Sequence, residues 1–228
     1  MRDGVPHDPD VCKGVHWSGT SHAGLVNPAV LKLMHEAGCT YLDYGLESFS
    51  SRVLKNIGKG ATPENNIRAV QITMEAGIRP IPNQIIGFPD EFFDSIIDNT
   101  IWWQKLGIKA NPFFATPYPG SEWYYTYKAK ILEQYDGKLE DFILDLGDAT
   151  KITAVISENF DAVELLGLRE LMIAGDIKRI KAYEKVWRKA HGEPRIPDFR
   201  KQGRRTFGNL TGPTSAPVAE PAAELAKA

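Results

Sequence analysis

The residues best suited to chemistry lie in three short segments, each a strand-like run that ends in a turn. In Tyr41-Leu42-Asp43-Tyr44-Gly45-Leu46-Glu47-Ser48, alternation sends Tyr41, Asp43, Gly45 and Glu47 to one face and Leu42, Tyr44 and Leu46 to the other. Two carboxylates then share a face and could work as an acid/base pair. A structural role fits the pattern equally well, with Glu47 opening a solvated loop and capping a helix that starts near Ser50 or Ser51. In Asn83-Gln84-Ile85-Ile86-Gly87-Phe88-Pro89-Asp90-Glu91, a strand stops at a glycine before an acidic helix start. Gly87 permits close approach of a ligand or another backbone, while acids at a helix N-terminus are ordinary. The third segment, Phe113 to Ser121, fixes Tyr118 between Pro117 and Pro119, a stiff rim that offers a ring for stacking.

Other clusters lead to less. His7, His16, His22 and His35 with Cys12 and Cys39 fit no compact ligand spacing, so no metal site is expected. Trp102-Trp103 and Trp123-Tyr124-Tyr125 read as packing between helix and sheet. Arg195, Arg200, Lys201, Arg204 and Arg205 read as a solvated basic run, with no clear nucleic-acid site. A net charge of -2 over 228 residues gives no field for nucleic acid or an anionic surface. The two cysteines rule out a disulfide framework. No apolar run is long enough for a bilayer and the N-terminus has no signal-type core, so a cytoplasmic protein without a membrane span is expected.

These segments need positioning elements, and the punctuation between them supplies a βαβα pattern. Asn27-Pro28 and Thr62-Pro63 each pair a capping side chain with a proline at the first helical position, and Gly38 and Gly77 close those helices. A third helix runs from about Glu91 to Leu106 and stops at Gly107. Strands are expected near Val15 to Gly19, Thr40 to Leu46, Arg79 to Gly87 and Ala110 to Thr116. Four parallel strands are too few for a closed eight-stranded barrel of ~250 residues, and the first leaves an open edge. The domain plan is an N-terminal segment over 1–14, a partial β/α barrel over 15–125, a helical extension over 126–191 and a disordered Pro/Ala-rich tail over 192–228. Asp161 to His191 is the clearest helix of the extension, with Leu165, Leu168, Leu171 and Met172 on its apolar side.

Taken in order, KLMHEAGCTYLDYGLES, LKNIGKGATPENN, GIRPIPNQIIGFPDE and TPYPGS resemble the later half of the radical S-adenosylmethionine (radical SAM) core. They are most similar to the group that carries a cobalamin-binding domain ahead of that core. The resemblance implies an α/β fold built from the later strands of a (β/α)6 barrel. It also implies S-adenosyl-L-methionine and a 4Fe-4S cluster as cofactors of the intact enzyme, possible use of cobalamin, and a small-molecule substrate. Glu47 and Ser48 match the strand end that contacts the cofactor's ribose or methionine part. Ile86, Gly87 and Phe88 match the strand that passes the adenine, and Tyr118 the rim beside substrate and adenine.

The cluster-binding CxxxCxxC is absent, and two distant cysteines cannot supply three thiolates. The expectation is therefore a C-terminal fragment or subunit, inactive alone and completed by a separate N-terminal half that carries CxxxCxxC. The alternatives are a degenerate barrel that binds or scaffolds without chemistry, and an ordinary β/α enzyme that uses Asp43 and Glu47.

Overall fold

The computed structural model describes residues 14–197, apart from 110 and 149. Cys12, the segment before residue 14 and the tail beyond 197 therefore lie outside the described residues. Four parallel strands, β1 (Trp17–Ser21), β2 (Cys39–Glu47), β3 (Arg79–Ile86) and β4 (Phe113–Phe114), form one sheet in the order β1-β2-β3-β4. The fold is α/β with an open parallel sheet. No strand among the described residues pairs with the outer edge of β1 or of β4.

The crossovers follow the expected punctuation. In α1 (Pro28–Glu36) the Asn27 side chain accepts from Val30 N–H at 3.0 Å and Pro28 stands where no N–H is needed. In α3 (Pro63–Glu75) Thr62 and Asn65 cap each other reciprocally. A short α2 (Ser51–Asn56) follows β2, as anticipated, but Ser50 caps it and its side chain makes no cap hydrogen bond. The third crossover helix, α4 (Phe93–Leu106), starts two residues later than expected. Ser95 Oγ accepts from Phe92 N–H, while the Glu91 carboxylate turns back to Gly87.

One face of the sheet is packed by these helices. Leu42, Tyr44 and Leu46 of β2 meet Leu31 of α1, Ala69 and Val70 of α3 and Trp103 of α4 in the first core. Tyr44, wholly buried, donates its hydroxyl to Thr73 Oγ1 at 2.8 Å, which in turn donates to Ala69 O. Burial of the Tyr44 ring raises its pKa.

Beyond β4 the chain is helical: α5 (Glu122–Thr126), α6 (Lys128–Gln134), α7 (Leu139–Asp145), α8 (Ala162–Ala174) and α9 (Ile177–His191). The stretch from Asp161 to His191, expected as one helix, is two. Gly175 takes φ 67° to end α8, and the Asp176 carboxylate then accepts from Arg179 N–H to start α9. Leu165, Leu168 and Met172 are buried as expected. With Trp187 of α9 they share a second core with Ile86, Phe114 and the Phe92-Phe93 pair. Helices α8 and α9 thus close over the ends of β3 and β4.

Candidate functional site

On the other face of the sheet, Tyr41, Asp43, Gly45 and Glu47 are half-buried, as are Ile81, Asn83 and Ile85 of β3. Parallel pairing sets Asp43 beside Ile81 and Gly45 beside Asn83. The register then slips, so that Glu47 pairs with Gln84 and Leu46 is the extra residue of a bulge. Immediately after it, Ser48 N–H donates to Leu46 O at 2.7 Å across Glu47, which takes φ 62°.

This turn folds the Glu47 side chain back over the strand. Its Oε1 accepts from Lys59 Nζ at 2.6 Å, and both side chains keep partial solvent contact. Lys59 stands between Gly58 (φ 66°) and Gly60 (φ 70°) in the loop after α2. A Cβ added to Gly45 would lie 2.8 Å from Glu47 Oε1 and 2.9 Å from Lys59 Nζ. The absence of a side chain at Gly45 is therefore what lets the ion pair lie on the strand.

Beside this pair opens a cavity of about 360 Å³, within the range of about 300–1,000 Å³ usual for small-molecule sites. Its polar end is Glu47 and Asn83; its apolar wall is Ile85, residues 113–116, Tyr118 and Trp123. Trp123 is braced from behind by Phe88, ring centroids 5.4 Å apart. Tyr118 is about half exposed at the rim, held by Ser121 N–H donating to Tyr118 O.

Of the six residues singled out by sequence, the structure brings Glu47 and Tyr118 together around this cavity. Ser48 is fully buried and faces the helices, where its Oγ donates to Asn99 Oδ1 at 3.1 Å. Ile86 lies in the second core. Gly87 takes φ 95°, and a Cβ there would meet Leu165 Cδ1 at 3.3 Å, so the close neighbour it admits is a side chain of α8. Phe88, also buried, touches the cavity only through Trp123. Asp43 shares the inner face with Glu47, whose carboxylate is engaged by Lys59.

Asn83, Ile85, Trp123 and Lys59 were missed. The alternation applied to β2 would have found Asn83 and Ile85 had it been carried into β3; Lys59 had only the flanking glycines as a signal.

Behind the strand ends lie two acids without water access. Glu91 is fully buried; Gly87 N–H donates to its Oε2 at 2.6 Å, and Oε1 has no partner. Desolvation, reinforced by the neighbouring Asp90 carboxyl, pushes its pKa up to about 8. Asp90 is raised as well, chiefly by desolvation, although Asn56 Nδ2 donates to its Oδ2 at 2.7 Å and Arg52 pairs with it at 3.3 Å.

Residues 7–99 match the model of the radical SAM superfamily. Over this stretch the chain is similar to members of that superfamily. Its enzymes work with S-adenosylmethionine and a 4Fe-4S cluster. A curated relative, an uncharacterized methyltransferase of Pyrococcus horikoshii, is 38% identical over 120 residues, which are 52% of this chain and 26% of that protein. The chain thus aligns with about a quarter of its curated relative. Among solved structures, the radical SAM methyltransferase TsrM of Kitasatospora setae, with cobalamin and a [4Fe-4S] cluster bound, is 19% identical with a TM-score of 0.42, covering 47% of this chain and 22% of that one. The archaeal Elp3 of Methanocaldococcus infernus is 15% identical with a TM-score of 0.45, covering 72% and 42%.

The two implied groups fare differently against these residues. An adenosyl ligand suits a cavity with a carboxylate and an amide at one end and aromatic walls at the other. A cluster does not suit the cysteines: the chain has only two, and Cys39 is buried in the first core with its Sγ donating to Tyr41 O. No group of three or more His, Cys, Asp or Glu able to hold a metal occurs among the described residues. No helix among them is long and apolar enough to cross a membrane.

Proposed function

We propose that this chain forms the S-adenosylmethionine and substrate side of a radical SAM enzyme, with the cluster held by another segment that carries CxxxCxxC. The observation that supports it is the convergence of Glu47 from β2, Asn83 from β3 and Tyr118 after β4 on one cavity at the C-terminal strand ends, where parallel β/α folds bind their ligands. In this reading Glu47 and Asn83 meet the hydroxyl and ammonium groups of the cofactor. Ile85 and Trp123 flank the adenine, Tyr118 faces the substrate, and Ser48, Ile86, Gly87 and Phe88 shape the wall from behind. The bound cofactor supplies a 5′-deoxyadenosyl radical or a methyl group.

Methyl transfer to a small molecule is the reaction class we favour, from the relative's description as a methyltransferase. Cobalamin enters as the intact enzyme's second cofactor through the motif order alone. The open edge of β1 is where the missing strands pair, and the setting is the cytoplasm.

The test is anaerobic titration of the full chain with S-adenosylmethionine, followed by reconstitution with iron and sulfide. Binding that Glu47→Gln weakens about tenfold, the loss of one charge-assisted hydrogen bond, supports the proposal, with cleavage appearing only when the CxxxCxxC-bearing half is added. A cluster and cleavage in this chain alone would overturn the division of labour. Binding without turnover under every condition would instead make it a binding module.

A further inference from the structure

Glu47 and Asp136 are the described residues other than glycine with positive φ, and only Glu47 lies at the cavity. A three-residue turn centred on positive φ is the strained hand of this turn, disfavoured for any residue with a Cβ. Something must hold it, and two helices supply the holders. Asn66 of α3 donates from Nδ2 to Leu46 O at 3.0 Å and to Ser48 O at 2.9 Å, the carbonyls on either side of Glu47. Asn99 of α4 accepts through Oδ1 from Ser48 Oγ at 3.1 Å and from Phe49 N–H at 2.6 Å. Ser48 Oγ accepts in turn from Ser50 N–H at 3.0 Å.

Both asparagines are fully buried, and each keeps one polar atom without a partner, Asn66 Oδ1 and Asn99 Nδ2. Gln84, the register partner of Glu47, is buried with neither end of its amide paired. Packing alone would favour apolar residues at all three positions. Their common feature is the turn they surround.

We propose that Asn66 and Asn99 are positioning residues that act through Glu47, fixing its left-handed turn and so directing its carboxylate over Gly45 into the cavity, toward the hydroxyl or ammonium donors of an adenosyl ligand. The ligand rests on the reading given under Proposed function; the clamp does not.

Two measurements on the full chain test it. In the first, Asn66→Ala weakens S-adenosylmethionine binding about tenfold in the wild type but leaves the affinity of Glu47→Gln unchanged, because the group it positions is already lost. An equal loss in both backgrounds means that Asn66 acts on the fold generally and overturns the proposal. In the second, without ligand, Glu47→Gly and Glu47→Ala are compared by thermal melting. Both lose the carboxylate, but glycine accepts φ 62° and should melt about 2–4 °C higher. Adding Asn66→Ala should close or reverse that gap by freeing the turn; an unchanged gap refutes the clamp. Asn99→Ala runs through the same two arms should Asn66→Ala fail to fold. A wild-type chain that binds no S-adenosylmethionine overturns the ligand reading, and melting still decides the clamp.

Discussion

Replacing Glu91 by glutamine should change the pH dependence of folding more than its mean stability. The carboxyl is fully buried, and desolvation moves its pKa from an ordinary 4.5 to about 8. In the unfolded chain the proton leaves near 4.5; in the folded protein it stays until about 8. Between those values folding takes up a proton, so wild-type stability falls as pH rises and levels off above about 8. At about 1.4 kcal/mol per unit, the full window is worth on the order of 5 kcal/mol.

Glutamine keeps an oxygen for Gly87 N–H and has nothing to ionise. It also places an amide NH2 where Oε1 has no partner, a cost of about 1–3 kcal/mol that does not vary with pH. The variant should therefore be the less stable protein near pH 4–5 and gain on the wild type by up to about 1.4 kcal/mol for each unit toward pH 8. Asp90, whose pKa is also raised, adds a slope of the same sign to both proteins, and it largely cancels in the difference. Urea unfolding of the pair at unit steps from pH 5 to 8 measures this. A stability difference that stays flat across the range, or that moves in favour of the wild type as pH rises, would show that Glu91 is not held neutral by burial.

Three further outcomes can be measured. Tyr44→Phe removes the hydroxyl that donates to Thr73 and should cost about 1 kcal/mol in urea unfolding. Gly45→Val drives a side chain into the Glu47–Lys59 pair; it should weaken S-adenosylmethionine binding at least as much as Glu47→Gln while the chain still melts cooperatively. Leu31→Ala opens a cavity in the first core at a fully buried position, with an expected loss of about 2–5 kcal/mol.

The crossovers were legible because their signals are local. Asn27-Pro28, Thr62-Pro63 and Gly107 each determine their own helix end, and alternation in β2 correctly separated Leu42, Tyr44 and Leu46 from Asp43, Gly45 and Glu47. The break between α8 and α9 was also local, written in Gly175-Asp176, but the apolar spacing running through it concealed it. What could not be read was set by distance in sequence. The space that Gly87 leaves is taken by Leu165, 78 positions away, and the carboxylate of Glu47 is met by Lys59 from a loop with no periodicity. A strand-end motif shows that the backbone must be open there, and only the packed chain shows what enters the opening.

Three of the places where this chain departs from local rules gather at one end of the sheet. At the N-terminal ends of β2 and β3, Gly38 and Gly77 take the positive φ that their turns need. At the C-terminal ends, a glutamate takes it instead, Gln84 is buried unpaired and Glu91 is buried as an acid. Each costs stability that an apolar or glycine substitute would recover. Their gathering at the end that opens on the Glu47 cavity fits the proposed site, whose polar groups the scaffold rather than solvent would hold in place.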